Sequence, residues 1–228
     1  MSTTNTPGTQ PQPQGVSALD IPLHVTLFRN YAASQKRYQE VSLRALIPLL
    51  TDTVGNSKPE LPWLKLALFG DDRTEKGSYR HDANVREIQG IGADYDGEQI
   101  TPARARQVMA QAGLACIIYT SPSHTKQAPR WRILCPTSEP YPPSERARYL
   151  ARVNGLFVGA LASESFALSQ SYYYGRLATS QDHEVIAVDG VAVDLVDDLD
   201  RTAIGKPVKA RVTSQAVTAS AAQLGRPT

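Results

Sequence analysis

Two aspartates separated by one residue are the clearest candidates for chemistry in this chain of 228 residues. They lie in segment 90–97, which reads GIGADYDG. In a β-strand, side chains alternate between faces, so Asp94 and Asp96 would share one face with Cα atoms roughly 7 Å apart. Neighbouring carboxylates repel each other unless a cation lies between them. The pattern predicts a divalent-metal site at a strand end or, as the simpler alternative, a strand that runs into an acidic turn.

Two groups of phosphate-binding side chain types follow this segment. The sequence Ser-Pro-Ser-His ends at His124 and begins one residue after the strand-like apolar run 114–119. Ser123 and His124 can both donate hydrogen bonds to phosphate oxygens. The next predicted strand begins Arg-Trp-Arg, so Arg130 and Arg132 share a face, and guanidinium groups bind phosphate through two parallel hydrogen bonds. Each feature alone is also typical of a solvated strand end, but their succession predicts phosphate binding near the carboxylates.

The elements around these residues determine whether they can meet. Thr101 and Pro102 predict the start of a helix, with an N-cap and a proline at its first position. Gly113 predicts its end, and a second helix is predicted from about residue 144 to about residue 162. From residue 90 the order is strand, helix, strand, strand, helix, strand. This order predicts the α+β class, with a split βαβ core, a mixed or antiparallel sheet and helices packed on it.

The ends of the chain differ from this core in composition. Residues 1–18 are rich in Thr, Gln, Pro and Gly and are predicted to be disordered. A strand at 21–28 and a helix capped by Ser42 predict an N-terminal α/β extension. A final hairpin is predicted around Asp189-Gly190. We expect a single domain over 19–200, with a catalytic core at about 85–195, and a linker or flexible tail over 201–228.

Composition limits the classes of function. The net charge is +2, but segment 101–152 has eight basic side chains against two acidic ones, whereas 182–200 has seven acidic and no Lys or Arg. A basic region of this kind suggests a polyanionic partner. Cys116 and Cys135 lie in apolar runs, as expected of core thiols in a reducing compartment. The sequence has neither an apolar run of membrane-spanning length nor a signal-peptide pattern, so we expect a cytoplasmic protein without a membrane partner.

The succession of motifs resembles the archaeo-eukaryotic primase superfamily, and most closely the primase-polymerase domains of phage and plasmid replication proteins. The resemblance covers about residues 85–180. Three motifs carry it, in the order Asp94-x-Asp96-Gly97, Ser121-x-Ser123-His124 and Arg130-x-Arg132. It implies an RRM-like catalytic core in which the two aspartates bind metal. It also implies that Ser123, His124, Arg130 and Arg132 bind the incoming nucleotide.

The resemblance further implies a third carboxylate about forty residues downstream of the Ser-x-His motif. Glu164 is the best match in position, although an aspartate is usual there. The implied activity is template-dependent nucleotidyl transfer, by which a DNA primase or primase-polymerase synthesises a primer or DNA during replication of a phage, plasmid or other mobile element. Asp94, Asp96 and Glu164 would then be catalytic and would hold two Mg²⁺ or Mn²⁺ ions.

The implied partners are a single-stranded DNA template, nucleoside triphosphates and a replicative helicase as a fused or separate part. The chain itself has no Gly-x-x-x-x-Gly-Lys-Ser/Thr motif. Basic and aromatic residues are predicted to contact nucleic acid through charge and stacking. They are Lys76, Arg80, Lys126, Tyr172, Tyr174 and Arg176.

Two other functions remain open at the level of sequence. One is a single-stranded nucleic-acid-binding module of the same fold, either non-catalytic or degenerate. Such a module would be expected to display aromatic side chains on the central strands, whose inferred ligand face carries Asp94, Asp96 and Arg132 instead. A rolling-circle replication nuclease would use a tyrosine of 172–174 as its nucleophile. That chemistry requires two metal-binding histidines spaced by one residue, whereas His24, His81, His124 and His183 are isolated from one another.

Overall fold

Strands and short helices alternate along residues 16–206, the part of the chain that the computed structural model describes. In chain order they are β1 (Pro22–Phe28), β2 (Lys36–Ser42), α1 (Leu43–Asp52), β3 (Val54–Gly55), β4 (Trp63–Lys65), β5 (Ala67–Phe69), β6 (Val85–Tyr95), α2 (Pro102–Gln111), β7 (Cys116–Thr120), β8 (Trp131–Tyr141), α3 (Arg146–Leu156), β9 (Tyr172–Tyr173), β10 (Arg176–Leu177) and β11 (Val185–Val188). The strands form sheets ordered β2-β1-β4-β9, β10-β3 and β11-β7-β8-β6-β5. The predicted α+β class is therefore confirmed.

The five-stranded sheet contains the predicted split βαβ unit. Strands β6 and β7 both pair antiparallel to β8, which lies between them, so β6 and β7 are parallel and α2 connects them. Strand β5 borders the other side of β6, and β11 borders β7. The register places Asp94 opposite Arg132 and Arg132 opposite Tyr119. The chemistry-bearing ends of β6, β7 and β8 consequently lie side by side.

The two faces of this sheet are covered by different parts of the chain. On one face, Ile91, Ala93 and Tyr95 of β6 belong to a core that also contains buried residues of α2 and α3. On the other face, buried residues of β1, β4 and α1 form a second core with Ile117 and Leu134. The alternation of β6 therefore turns Asp94 away from α2 and α3, toward the N-terminal part of the chain.

The glycines of β6 let that second layer approach closely. A Cβ at Gly92 would lie 2.9 Å from Cε2 of Tyr172, and a Cβ at Gly90 would lie 2.5 Å from Cδ1 of Leu66. Real Cβ atoms do not tolerate such distances, so both positions require glycine for this packing. The glycines of segment 90–92, which ends two residues before Asp94, thus serve the packing of the second layer.

Some predicted boundaries are wrong. The helix α3 ends at Leu156 rather than near residue 162, and a Cβ at Gly155 would lie 2.0 Å from the carbonyl oxygen of Thr202. The predicted hairpin around Asp189-Gly190 is absent from residues 184–195, because β11 pairs with β7 and the segment after Gly190 becomes a 3₁₀ turn. The pairing of β11 with the free edge of β7 therefore outweighed the local preference of Asp-Gly for a hairpin turn.

The predicted disordered segment 1–18 and tail 201–228 lie mostly outside the described residues. Of the predicted tail, the first six residues are described, and Ile204 lies on α3. Its N–H donates to the carbonyl oxygen of Ala151, and its own carbonyl accepts from the Asn154 side chain. Over residues 16–206, none of the helices has the length and apolar character needed to cross a membrane.

Candidate active site

Asp94 lies at the end of β6 and forms an ion pair with Arg132 of β8. Atom Oδ1 of Asp94 is 3.2 Å from Nε of Arg132, but the N–H is not aimed at the oxygen, so neither buried atom has an aligned hydrogen-bond partner. Arg132 is only 3% exposed. Its Nη1 donates to the carbonyl oxygen of Tyr173 at 2.6 Å, and its guanidinium lies 3.9 Å from the centre of the Tyr173 ring. Arg132 therefore holds Asp94 and Tyr173 in a fixed relation.

Burial leaves the charge of Asp94 incompletely compensated. Desolvation raises the pKa of Asp94, the nearby Asp96 carboxylate raises it further, and the Arg132 guanidinium opposes both effects without cancelling them. A buried carboxylate oxygen without an aligned donor is costly, and an additional cation would lower that cost. Asp94 thus has the electrostatic character expected of a cation ligand.

Asp96 lies just beyond the strand end, beside a second arginine. Its Oδ1 is 4.0 Å from Nη1 of Arg130, which is the residue that precedes β8. Arg130 also forms an ion pair with Glu98, whose backbone has the positive φ of 59° that the turn after β6 requires. The Arg130 side chain is 34% exposed. Unlike Arg132, it can therefore exchange its carboxylate partners for a solvent-borne anion.

The predicted Ser-x-His motif forms the hairpin loop between β7 and β8. The His124 N–H donates to the carbonyl oxygen of Ser121, which closes a turn, and the Arg130 N–H donates to Nδ1 of His124 at 3.1 Å. Because a backbone N–H occupies Nδ1, that nitrogen is unprotonated and the ring proton lies on Nε2. The loop thus presents one ring donor and the partly buried hydroxyl of Ser123, to which Nζ of Lys58 donates.

His124 also lines two depressions of the surface. One is small and includes His183, whose Nε2 lies 3.1 Å from the carbonyl oxygen of Leu50 and whose Nδ1 lies 3.1 Å from Oγ1 of Thr120. Desolvation lowers the pKa of His183, and both of its ring nitrogens are in contacts within the fold. The other is a groove of about 240 Å³ between the start of α2 and Lys126.

Glu164 lies in a turn that contacts the end of β6, but its side chain is exposed. It belongs to the 3₁₀ turn Ser163–Phe166, which is hydrogen-bonded to the backbone of Asp94. The Asp94 N–H donates to Oγ of Ser165, and the Ala162 N–H donates to the carbonyl oxygen of Asp94. Within residues 16–206, no group of three or more His, Cys, Asp or Glu side chains could hold a metal ion. Glu164 is therefore not brought together with Asp94 and Asp96 as a set of ligands.

The residues predicted to contact nucleic acid are spread over several surfaces. Lys76 is exposed in the loop before β6, and Lys126 lies 3.4 Å from Asp182. Arg176 is half-buried on β10. Tyr172 and Tyr174 are both buried, so as placed here neither ring can stack on a base.

The exposed member of the tyrosine run is the one between these two. Strand β9 pairs with β4, and the alternation of side chains sends Tyr172 into the packing below Gly92 and leaves Tyr173 partly exposed. Arg80, the remaining predicted contact, stacks over Trp63 at 4.4 Å from the ring centre. Tyr173 is therefore the tyrosine of this run that a base can reach.

Four site residues were not predicted from the sequence. Ser165 and Arg146 fix the segment after α3 at the end of β6, since Nη2 of Arg146 donates to the carbonyl oxygens of Ser165 and Gly92. Lys58 reaches Ser123 from the N-terminal part of the chain, and Glu98 holds Arg130. Only Glu98, two residues beyond Asp96, is close enough in sequence for a search around the acidic pair to have found it.

Comparisons with known proteins give one distant likeness in fold. No protein-family model and no curated protein matches the chain. Among solved structures, the AEP domain of the cyanophage S-2L primase-polymerase (PrimPol) is similar, at 8% sequence identity and a TM-score of 0.42. The alignment covers 81% of this chain and 90% of that chain. A likeness this distant does not establish a shared activity.

Proposed function

We propose that the chain is a template-dependent nucleotidyltransferase of the primase-polymerase type. The observation that carries the proposal is the buried oxygen of Asp94, which has no aligned donor and lies beside Asp96. Arg130 and the His124 loop adjoin the same strand end. The arrangement offers carboxylates for a cation and exchangeable donors for phosphate oxygens, which are the two requirements of phosphoryl transfer.

The two aspartates fit a divalent cation of the magnesium type. Mg²⁺ keeps several waters and is usually bound by one or two carboxylates together with substrate phosphates. Asp94 and Asp96 supply such a pair, and the oxygen of Asp94 without an aligned donor is a site where a cation would be favourable. When bound, Mg²⁺ or Mn²⁺ would neutralise the triphosphate and favour ionisation of the attacking hydroxyl. Glu164 could contribute to a second ion only if its exposed side chain turned toward the pair.

The protein side chains have separate roles in this proposal. Arg130 exchanges Glu98 for the triphosphate, and Nε2–H of His124 and the Ser123 hydroxyl donate to its oxygens. Arg132 acts as a positioning residue, because its guanidinium is buried between Asp94 and Tyr173. In the reaction, the 3′-hydroxyl oxygen of the growing nucleic-acid strand bonds to the α-phosphorus and its proton passes to solvent. The bond between the α-phosphorus and the oxygen that bridges to the β-phosphorus breaks, and pyrophosphate leaves.

The proposal is tested by incorporation of a labelled nucleotide on a primed single-stranded template with Mg²⁺ or Mn²⁺. The double variant Asp94→Asn with Asp96→Asn is compared with Asp198→Asn, a surface aspartate that pairs with Arg201. Substitution of a residue that only hydrogen-bonds to a metal ligand typically lowers activity about 10- to 100-fold. The double variant removes the ligands themselves, so its incorporation rate should fall more than about 100-fold. The Asp198 variant should match the wild type. Equal incorporation by the double variant would overturn the proposal.

A non-catalytic module that binds single-stranded nucleic acid is the second candidate. The observation that favours it is that both aspartates already face arginines, as in a purely structural ion-pair network. In that case the wild type would bind single-stranded DNA but incorporate no nucleotide with either metal.

A further inference from the structure

An aromatic pocket lies on the N-terminal side of the candidate site. It has a volume of about 230 Å³ and is lined by Tyr31, Lys58, Pro59, Trp63 and Tyr173. Complete pockets for small ligands are commonly about 300–1,000 Å³, so this one is of a size for a single ring system rather than a whole nucleotide. Its lining differs from an ordinary core remnant, because Tyr31 is 64% exposed.

The pairing of strands holds the aromatic walls in place. Trp63 of β4 is opposite Phe28 of β1 on one side and Tyr173 of β9 on the other. The Trp63 ring lies 5.4 Å from the Tyr173 ring and 5.7 Å from the Tyr31 ring, both edge to face. Rings packed edge to face around an opening leave ring faces on which a further flat ring can stack. The pocket is therefore preorganised for an aromatic ligand.

A cation without a carboxylate partner lies against this pocket. The guanidinium of Arg80 is 4.4 Å from the centre of the Trp63 ring and 5.3 Å from that of Tyr31. Its Nε and the Nε1 of Trp63 are buried without hydrogen-bond partners. Among residues 16–206, no carboxylate oxygen lies within 4.0 Å of the Arg80 guanidinium, whereas Arg86 and Arg130 both have such partners. A positive charge and two donors without partners, beside rings packed edge to face, favour a ligand that is aromatic and anionic.

The pocket shares two walls with the candidate active site. The Tyr173 carbonyl accepts from Arg132, the partner of Asp94. Lys58 lines the pocket and donates to Ser123 in the predicted phosphate-binding loop. A nucleic-acid strand that passes through the active site could therefore place one of its bases in this pocket.

We infer that this pocket stacks one unpaired base of a single-stranded nucleic acid, with Arg80 and Lys58 near its backbone phosphates. The inference deepens the proposed function and rests on it only for the identification of that strand as the template. The walls offer ring faces rather than a pattern of donors and acceptors for base edges, which is typical of sequence-independent stacking. The base of an incoming nucleotide must lie against its partner on the template, so an unpaired base of the nucleic-acid strand is the better occupant.

Tryptophan fluorescence provides a direct test, because the two tryptophans of the chain differ in access. Trp131 is fully buried and stacked on Tyr95, whereas Trp63 is partly exposed in the pocket. Titration with an oligothymidine should quench the emission of the wild type and leave that of Trp63→Phe almost unchanged. An oligomer of the same length made of abasic units should bind through its phosphates without quenching. Equal quenching by the abasic oligomer, or by thymidine triphosphate alone, would overturn the inference.

Affinity for the same oligothymidine provides the second test. Stacking contributes about 1–3 kcal/mol per base, so Tyr31→Ala should weaken binding roughly 5- to 150-fold. Tyr38→Ala is the matched control, since Tyr38 is 48% exposed on β2 beside Glu40 and Glu87 and outside the pocket. Equal affinities of the two variants would contradict the inference.

The active-site double variant separates this inference from the proposed function. Asp94→Asn with Asp96→Asn should retain quenching of Trp63 by oligothymidine, because neither side chain lines the pocket. Retained quenching together with normal incorporation would refute the proposed function and leave the base pocket standing. If the double variant loses incorporation as expected but oligothymidine does not quench the wild type, the pocket alone is refuted.

Discussion

Substitution of Arg132 by methionine should destabilise the protein in a way that depends on pH. Methionine keeps much of the apolar length of arginine but removes the guanidinium between Asp94 and Tyr173. Removal of one partner of a buried ion pair costs about 3–5 kcal/mol, because the other charge is left uncompensated. The Asp94 side chain is 20% exposed, so we expect the low end, about 3 kcal/mol at neutral pH.

The pH dependence follows from the pKa of Asp94. Burial already raises this pKa, and loss of the Arg132 charge would raise it further. A carboxyl whose folded-state pKa exceeds its unfolded value stabilises the fold at low pH and loses that contribution as pH rises through the folded pKa. The cost of Arg132→Met should therefore shrink in acid, toward about 1 kcal/mol for the lost hydrogen bond to the Tyr173 carbonyl.

Urea unfolding at several pH values between about 5 and 8 measures this effect. Arg130→Met is the control, since Arg130 is 34% exposed and its solvent-screened pairs with Glu98 and Asp96 should contribute little to the free energy of unfolding. The double variant Asp94→Asn with Arg132→Met should lose far less free energy of unfolding than the two single variants lose in sum. A cost for Arg132→Met that is constant with pH, or equal to that of Arg130→Met, would refute the reasoning.

Two further substitutions test how the end of β6 is held. Gly92→Ala should destabilise the fold by about 1–3 kcal/mol, because its Cβ would lie 2.9 Å from the Tyr172 ring, and urea unfolding measures this loss. Partial recovery in Gly92→Ala with Tyr172→Leu is expected, and no recovery would contradict the packing argument. Ser165→Ala should cost about 1–3 kcal/mol by leaving the Asp94 N–H without its acceptor, as thermal unfolding would show. A wild-type melting temperature would contradict that hydrogen bond.

Local features of the fold were predictable because their causes are local. Ser42 and Thr101 cap α1 and α2 by accepting hydrogen bonds from backbone N–H groups three residues ahead. The alternation in β6 placed Ile91, Ala93 and Tyr95 in the core and Asp94 on the other face. These outcomes depend on interactions within a few residues, which the sequence displays directly.

The limits of local reasoning are clearest at the end of the chain. Asp189-Gly190 has the composition of a hairpin turn, yet the strand before it, β11, pairs with the edge of β7 instead of with the segment after the turn. A Cβ at Gly190 would lie 2.4 Å from the Gly113 carbonyl oxygen, so this glycine is needed for close approach of two segments. A residue type can therefore be explained by a distant contact that no local pattern reveals.

The sequence by itself determined the types of chemical group and their order along β6, β7 and β8. Only the tertiary structure decided which of them are accessible. It buried Arg132 as the partner of Asp94, left Arg130 exposed, and turned Tyr173 rather than its neighbours toward the surface. It also brought Lys58 to Ser123 across 65 residues of sequence. Contacts of this range depend on how two cores stack on opposite faces of one sheet, and such stacking is a property of the whole chain rather than of any segment.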